Sequence, residues 1–171
     1  HGHHRRQRQM CIRDRYASSS CIHNWWLSPY GTSKKVNEET AFEHQVALRF
    51  TTVYGDGARE NMFIPKLLDG KVDYVTKHTR DFIHVDDVVE AIILLMNKNI
   101  RSLKPAYDIG TGIGNQVHTL ADIAGYKELP LVNGEECEAQ DNTANNADLL
   151  QLGWKPTIKI DEYIIRRTVP H

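Results

Sequence analysis

Short apolar runs of strand length alternate with helical patterns along most of the chain, and no other feature narrows its fold as far. Val46–Thr52 (VALRFTT) reads as a buried strand, closed by Tyr54-Gly55-Asp56-Gly57. Asp86–Asn97 reads as the clearest helix. Asp86 can cap it, and Val88, Val89, Ile92, Ile93 and Met96 recur at three- and four-residue spacing as one apolar face. Tyr16–Ser20, Tyr74–Thr76, Phe82–Val85, Ala106–Ile109 and Leu129–Val132 are further strand candidates. Ser28-Pro29 opens a helix expected from Tyr30 to about His44, and Asn61–Leu68 is a short helix ended by Gly70. Thr119–Ala124, Ala147–Leu152 and Asp161–Arg167 complete the helices. Such alternation argues an α/β layer fold with parallel pairing.

The 171 residues, 40% apolar and 25% charged, have ordinary globular composition and one domain's worth of length. That excludes a disordered tail, a collagen-like fibre and a small disulfide-stapled domain. The longest apolar run, Ala91–Met96, is far short of the ~18 residues of a membrane span. A cytoplasmic location without a membrane partner is therefore expected. Cys11, Cys21 and Cys137 form no CxxC pair, so no metal site is expected.

A net charge of −1 hides an asymmetry: residues 1–15 carry +4 and residues 16–171 carry −5. A basic arm before an acidic domain would suggest nucleic-acid binding. The arm itself argues against that. Gln7–Arg15 (QRQMCIRDR) resembles the translation of a sequencing-library adapter, whose ATG TGT ATA AGA GAC AG frame gives Met10 to Asp14 and the start of Arg15. The stretch has neither helical nor strand periodicity and no cleavable apolar core. Residues 1–15 are therefore expected to be a non-native tail, with no nucleic-acid partner. The native sequence would begin near Tyr16 with its N-terminal part missing. The alternative is a solvated basic tail.

Tyr30-Gly-Thr-Ser-Lys34 carries the chemistry. On a helix the two ends of a Tyr-x-x-x-Lys share one face, so phenol and ammonium converge. A neighbouring cation favours the phenolate, and such a tyrosine exchanges a proton with a substrate hydroxyl while hydride moves to a nicotinamide. Alone, the pentapeptide also describes a surface helix with a half-exposed tyrosine. A serine-rich strand end, Ser18-Ser19-Ser20, precedes it and can donate to the same substrate oxygen.

Several motifs in one order resemble a family. Tyr16–Ser20, SPYGTSK at Ser28–Lys34, LRFTTVYG at Leu48–Gly55, RDFIHVDD at Arg80–Asp87 and LGWKP at Leu152–Pro156 resemble the extended short-chain dehydrogenase/reductases that act on nucleotide sugars. The resemblance covers about residues 16–165. It implies a partial Rossmann-like fold that lacks the N-terminal βαβ half. Residues 16–171 would be the C-terminal part of the NAD(P)-binding domain merged with a small α/β substrate domain. It implies NAD or NADP as cofactor, a nucleotide sugar as substrate, and a homodimer through a bundle that includes the Tyr-x-x-x-Lys helix.

Carried over by resemblance, Tyr30 is the acid/base and Lys34 holds the nicotinamide ribose and favours the ionised form of Tyr30. Ser19 matches the catalytic Ser/Thr, with Ser20 as fallback. Phe50 and Thr51 match positions near the nicotinamide, and Thr52 and Asn61 match substrate-facing ones. Arg80 matches an arginine that pairs with the substrate diphosphate, a role suited to a planar, permanent cation. A surface ion pair is the alternative for Arg80.

Dehydrating relatives place an Asp-Glu pair directly after the catalytic Ser/Thr, and decarboxylating ones an acid two positions on. Here Ser20 and Cys21 stand there. Epimerisation at a ring carbon needs only the Ser/Tyr/Lys set and a cofactor that returns its hydride. A second reading rests on Ser19-Ser20-Cys21-Ile22, which is similar to a stretch of GDP-fucose synthase, an epimerase/reductase whose cysteine moves protons. That enzyme's histidine before Ile-Pro has no counterpart at Ile64-Pro65, and Cys21 also reads as a small buried residue. The loop from Ser20 to Pro29 is short for the family, and Thr52 replaces its asparagine. A reading from another class is a non-catalytic sugar-nucleotide-binding or defunct polypeptide.

Asp108–Asn115 (DIGTGIGN) invites a dinucleotide fingerprint, but its third glycine is one residue early for GxGxxG and no suitable acid follows. It is expected to be a loop. Nothing before Tyr16 resembles the phosphate-binding glycine turn, so the chain is expected to bind NAD poorly by itself, to be inactive, and to expose a sheet edge.

Overall fold

The computed structural model describes residues 15–168. The tail expected at residues 1–15 lies outside them except for Arg15. Strand β1 (Arg15–Ser19) begins one residue before the expected boundary. The Arg15 guanidinium donates to the Leu95 carbonyl at 2.7 Å.

The main sheet is three-stranded and parallel. β1 pairs with β2 (Val46–Phe50), and β2 with β7 (Ala106–Ile109), so that Ser19, Phe50 and Ile109 lie in register. Helix α1 (Pro29–Glu39) crosses from β1 to β2. The Ser28 hydroxyl caps it by accepting from the Gly31 N–H at 3.0 Å, and Pro29 occupies its first turn. The helix ends five residues before the expected His44. Thr40 turns its hydroxyl back onto the Val36 carbonyl at 2.8 Å, and the Gln45 side chain accepts from the Phe42 N–H at 3.0 Å. Local side-chain bonds of this kind compete with helix continuation.

The expected strand Val46–Thr52 divides at Thr51. Beyond it the chain enters β3 (Thr52–Tyr54), which pairs in parallel with β6 (Phe82–His84) in a separate two-stranded sheet. Between these lies α2 (Phe63–Leu68), followed by Gly70 at φ +70. β4 (Val75–Thr76) pairs in parallel with β9 (Leu131–Val132), and β5 (Thr79–Arg80) pairs antiparallel with β8 (Asn115–Gln116). Helices α4 (Val117–Ile123), α5 (Ala147–Gln151) and α6 (Ile160–Thr168) complete the chain.

Helix α3 (Val85–Met96) departs from expectation twice. Its cap is His84, whose Nδ1 accepts from the Asp86 N–H at 3.2 Å, and not Asp86. Its apolar residues also do not form one buried face. Val88, Ala91 and Leu95 are buried, whereas Val89, Ile93 and Met96 are 45%, 45% and 63% exposed. At ~100° per residue the exposed three lie roughly a quarter-turn or more from the buried stripe, too far round to reach the sheet.

Two cores result. One joins Val46, Leu48, Val88, Leu95, Tyr107, Ile109 and Trp154, between the main sheet and α3. The other joins Ile64, Leu67, Val117, Leu120, Tyr163 and Ile164. The β3–β6 pair lies between them. Successive strand residues face opposite sides, so Phe82 and Tyr54 enter the second core while Ile83 and Val53 face the first. Buried Asp87 ties the C-terminal segment to this frame, accepting from the Thr157 N–H and hydroxyl at 2.9 Å each and from the Ile158 N–H at 3.0 Å. Among the described residues, no helix is long and apolar enough to cross a membrane.

Candidate functional site

The ends of β1 and β2 and the start of α1 surround a cleft above the point where the chain leaves the main sheet. Its first cavity, about 590 Å³, is lined by Ser19, Ser20, Tyr30, Thr51, Thr52 and Asn142. A second, about 360 Å³, shares Ser20, Tyr30, Thr52 and Asn142 with the first and reaches Arg80 and Glu138. A third, also about 360 Å³, continues from Thr52, Arg80 and Glu138 to Asn61 and His78. The structure thus brings Ser19, Ser20, Tyr30, Thr51, Thr52, Asn61 and Arg80 onto one continuous cleft.

Tyr30 lies in the first turn of α1, is 54% exposed and lines the first two cavities. Lys34, one turn on, stands with Nζ 5.4 Å from the Tyr30 ring centroid and 3.5 Å from the Ala17 carbonyl. The i,i+4 geometry therefore holds. Ser19 and Ser20 are both buried. The Ser19 hydroxyl accepts from the Cys21 N–H at 3.3 Å, starting a 3-10 segment over Ser20–Leu27. Its own proton remains available to donate into the cleft. Phe50 is not among the cleft-lining residues. Its ring packs with the first core, and Thr51 alone of the expected pair reaches the cavity.

The Arg80 guanidinium is already engaged. It donates to Glu138 Oε2 at 2.8 Å, to the Ala139 carbonyl at 2.6 Å and to the Thr79 carbonyl at 3.1 Å. His78 is buried beneath, with its Nδ1 3.1 Å from the Thr76 hydroxyl and 3.5 Å from Glu138 Oε2. Burial, with the Arg80 cation beside it, holds the His78 imidazole below its usual range. Asn142 is fixed from behind. Its Oδ1 accepts from the Asp81 N–H at 2.8 Å, which turns its amide nitrogen toward the Thr52 hydroxyl at 3.3 Å.

Glu138 and Asn142 escape a reading of the sequence. They lie in residues 133–146, where no helical or strand period marks a face, and only the folded chain carries them to Arg80 and Thr52. The glycine-rich stretch after β7 is a loop, and its amides hold an anion of the protein's own. The buried Asp81 carboxylate accepts from the N–H groups of Thr111 and Gly112 at 2.9 Å each and from Ala144 at 3.1 Å. Gly110 is required there, since a Cβ would lie 2.6 Å from Asp81 Oδ2 and from the Ala144 methyl. Among the described residues, no group of three or more His, Cys, Asp or Glu side chains is placed to hold a metal ion.

A chain of four side chains, Glu38, Arg49, Asp108 and His23, supports the cleft from the α1 face of the sheet. Glu38 on α1 accepts from Arg49 Nε at 3.0 Å and from its NH2 at 2.6 Å, and from the Ser18 hydroxyl at 2.6 Å. Across the sheet, Asp108 meets His23 of the 3-10 segment at 2.8 Å and Arg49 at 3.5 Å. Burial pushes the Asp108 carboxyl up, but His23 and Arg49 outweigh it and hold it below its usual value.

Comparison with known proteins shows the family and the fold. The model of the NAD dependent epimerase/dehydratase family matches residues 16–110. A CDP-abequose synthase of Salmonella typhimurium is 36% identical over 131 residues, covering 65% of this chain and 43% of that protein. A putative UDP-glucose 4-epimerase of Methanocaldococcus jannaschii is 31% identical over 164 residues, covering 82% and 52%. The chain thus spans about half the length of these curated relatives. Among solved structures, MoeE5 in complex with UDP-glucose and NAD superposes with a TM-score of 0.73 at 26% identity, over 91% of this chain and 64% of that one.

Proposed function

The chain belongs to the NAD dependent epimerase/dehydratase family, of the extended short-chain dehydrogenase/reductase type, and from that premise we propose that it carries the acid/base and sugar-facing part of a nucleotide-sugar epimerase. The described residues would be the C-terminal part of a Rossmann-like NAD(P)-binding domain merged with its substrate-binding portion. The observation that carries this reading is the single cleft running from Ser19 and Tyr30 to Arg80.

Tyr30 acts as acid and base on a ring hydroxyl, a phenol in the first turn of a helix with a cation one turn away. Lys34, one turn along α1 from Tyr30, holds the ribose of the cofactor. Ser19 donates to the same substrate oxygen and fixes its direction, with Ser20 adjacent. Thr52, Asn61 and Arg80 hold the sugar and its diphosphate. The nicotinamide end of NAD or NADP would take the first cavity, about 590 Å³ and lined by both Tyr30 and Thr51. When bound, that cofactor supplies reversible hydride transfer at the ring carbon. The Gly110–Gly114 turn offers no second phosphate site, because Asp81 occupies its amides. The 171-residue chain alone is therefore expected to bind NAD weakly and to be inactive, and a tight saturable NAD titration would overturn that. The reading includes a cytoplasmic location and a homodimer through α1.

The test is made on the protein translated from the uninterrupted reading frame that contains residues 16–168, with UDP-, dTDP- and CDP-hexoses. Inversion at a ring carbon without net use of cofactor is expected, and Tyr30→Phe should lower kcat by about 10²–10⁴. Net consumption of NADPH would favour the second reading, an epimerase/reductase in which Cys21, which lines both inner cavities, moves a proton. Binding without turnover in wild-type protein would leave a non-catalytic sugar-nucleotide-binding role.

A further inference from the structure

Glu138, like Thr52, lines three cavities among the described residues. It lines the cavity of Tyr30 and Arg80, the cavity of Asn61 and His78, and a third about 300 Å³ in volume under Gly134 and Glu135. A single carboxylate oxygen, Oε2, faces both Arg80 at 2.8 Å and His78 at 3.5 Å. The two partners of the ion pair are held unequally. The Arg80 side chain is 15% exposed, and its other bonds go to two backbone carbonyls, so the guanidinium is fixed. The Glu138 side chain is 53% exposed. Behind it, the chain is pinned at the Gln140 carbonyl, which accepts from the Thr79 N–H at 2.8 Å. The carboxylate can thus swing into water while the backbone stays in place.

We propose that Glu138 is an internal counter-anion, seated on Arg80 in the unliganded chain and displaced by the diphosphate of the substrate. This rests on the reading of Arg80 as the anion anchor. A carboxylate brings one negative charge to the guanidinium. A diphosphate brings two or more and matches the same planar fork. The exchange therefore favours highly charged ligands and rejects monoanions and neutral sugars. Glu138 sets the charge a ligand must carry.

The experiment titrates the full 171-residue chain calorimetrically with inorganic pyrophosphate and with inorganic phosphate. Glu138→Gln keeps the shape and removes the charge. It should tighten phosphate about tenfold and pyrophosphate only about twofold to threefold, which narrows the preference for pyrophosphate over phosphate. Glu138→Ala should do the same, and thermal melts confirm that both variants fold. Arg80→Gln should abolish binding. If Arg80→Gln loses pyrophosphate but Glu138→Gln and Glu138→Ala bind as wild type, the counter-anion role is overturned and Arg80 stands. If Arg80→Gln binds like wild type, or if no Glu138 variant binds pyrophosphate at all, the anchor itself is overturned and the proposal with it.

Discussion

Single residues in this chain are read best by what they accept. Asp81 is fully buried, and its carboxylate accepts from two loop amides, the Thr111 hydroxyl and Ala144. Asp81→Asn keeps the volume but swaps an acceptor for a donor that faces donors. It should cost about 2–4 kcal/mol in chemical denaturation, with an unchanged m-value. Gly110→Ala should be of similar severity, since its methyl has no free space. At this scale the site was legible where chemistry is local. Tyr30 and Lys34 announce themselves by helical spacing, and Arg80 by its place in RDFIHVDD. Glu138 and Asn142 were not legible, because each meets its partner across more than 50 residues of chain.

Elements are fixed by charged clamps as much as by apolar faces. Glu38 and Arg49 bind α1 to β2, and His23 and Asp108 bind the 3-10 segment to β7. Both partners of the first pair are largely buried, so Glu38→Gln should cost about 1–3 kcal/mol and leave α1 loosened in hydrogen exchange. The acid limb of stability follows from Asp108. Its folded carboxyl lies below the ordinary 3.8, so the unfolded chain binds more protons than the folded one near that value. The contribution is present above the ordinary value and is lost as pH falls through the folded one. Asp108→Asn should flatten that part of a Tm-against-pH profile. The alternation of strands and helices was readable throughout. Element ends were not, because the stops at Thr40 and Thr51 depend on side-chain bonds and on a change of sheet rather than on hydrophobic period.

On the scale of the whole molecule, the two cores share the β3–β6 pair. Ile83 is fully buried in the first core, on the strand pair that both cores share, and Ile83→Ala should cost about 2–5 kcal/mol while lowering both cores in one transition. Separate transitions by tryptophan fluorescence and tyrosine absorbance would show the cores to be independent. The surface carries Val89, Ile93 and Met96 in a row on α3, and among the described residues β1 pairs on one side only. Both features favour self-association. Light scattering of the purified chain should therefore rise with concentration, and Ile93→Lys should reduce it.

Thr51 is the whole of the connection between the main sheet and β3, one residue long. Its hydroxyl and its N–H both bond to the Ile109 carbonyl, at 3.3 and 3.2 Å, so the joint is anchored on the sheet side. On the other side Thr52 is tied to Asp81 and Asn142. A joint this short has no slack. A tilt of β3 against the main sheet therefore acts on the dihedral angles of Thr51, which lines the first cavity, and changes the width of the cleft beside it. The opening that admits a ligand and the angle between the main sheet and β3 are thus mechanically coupled at a residue of the site itself.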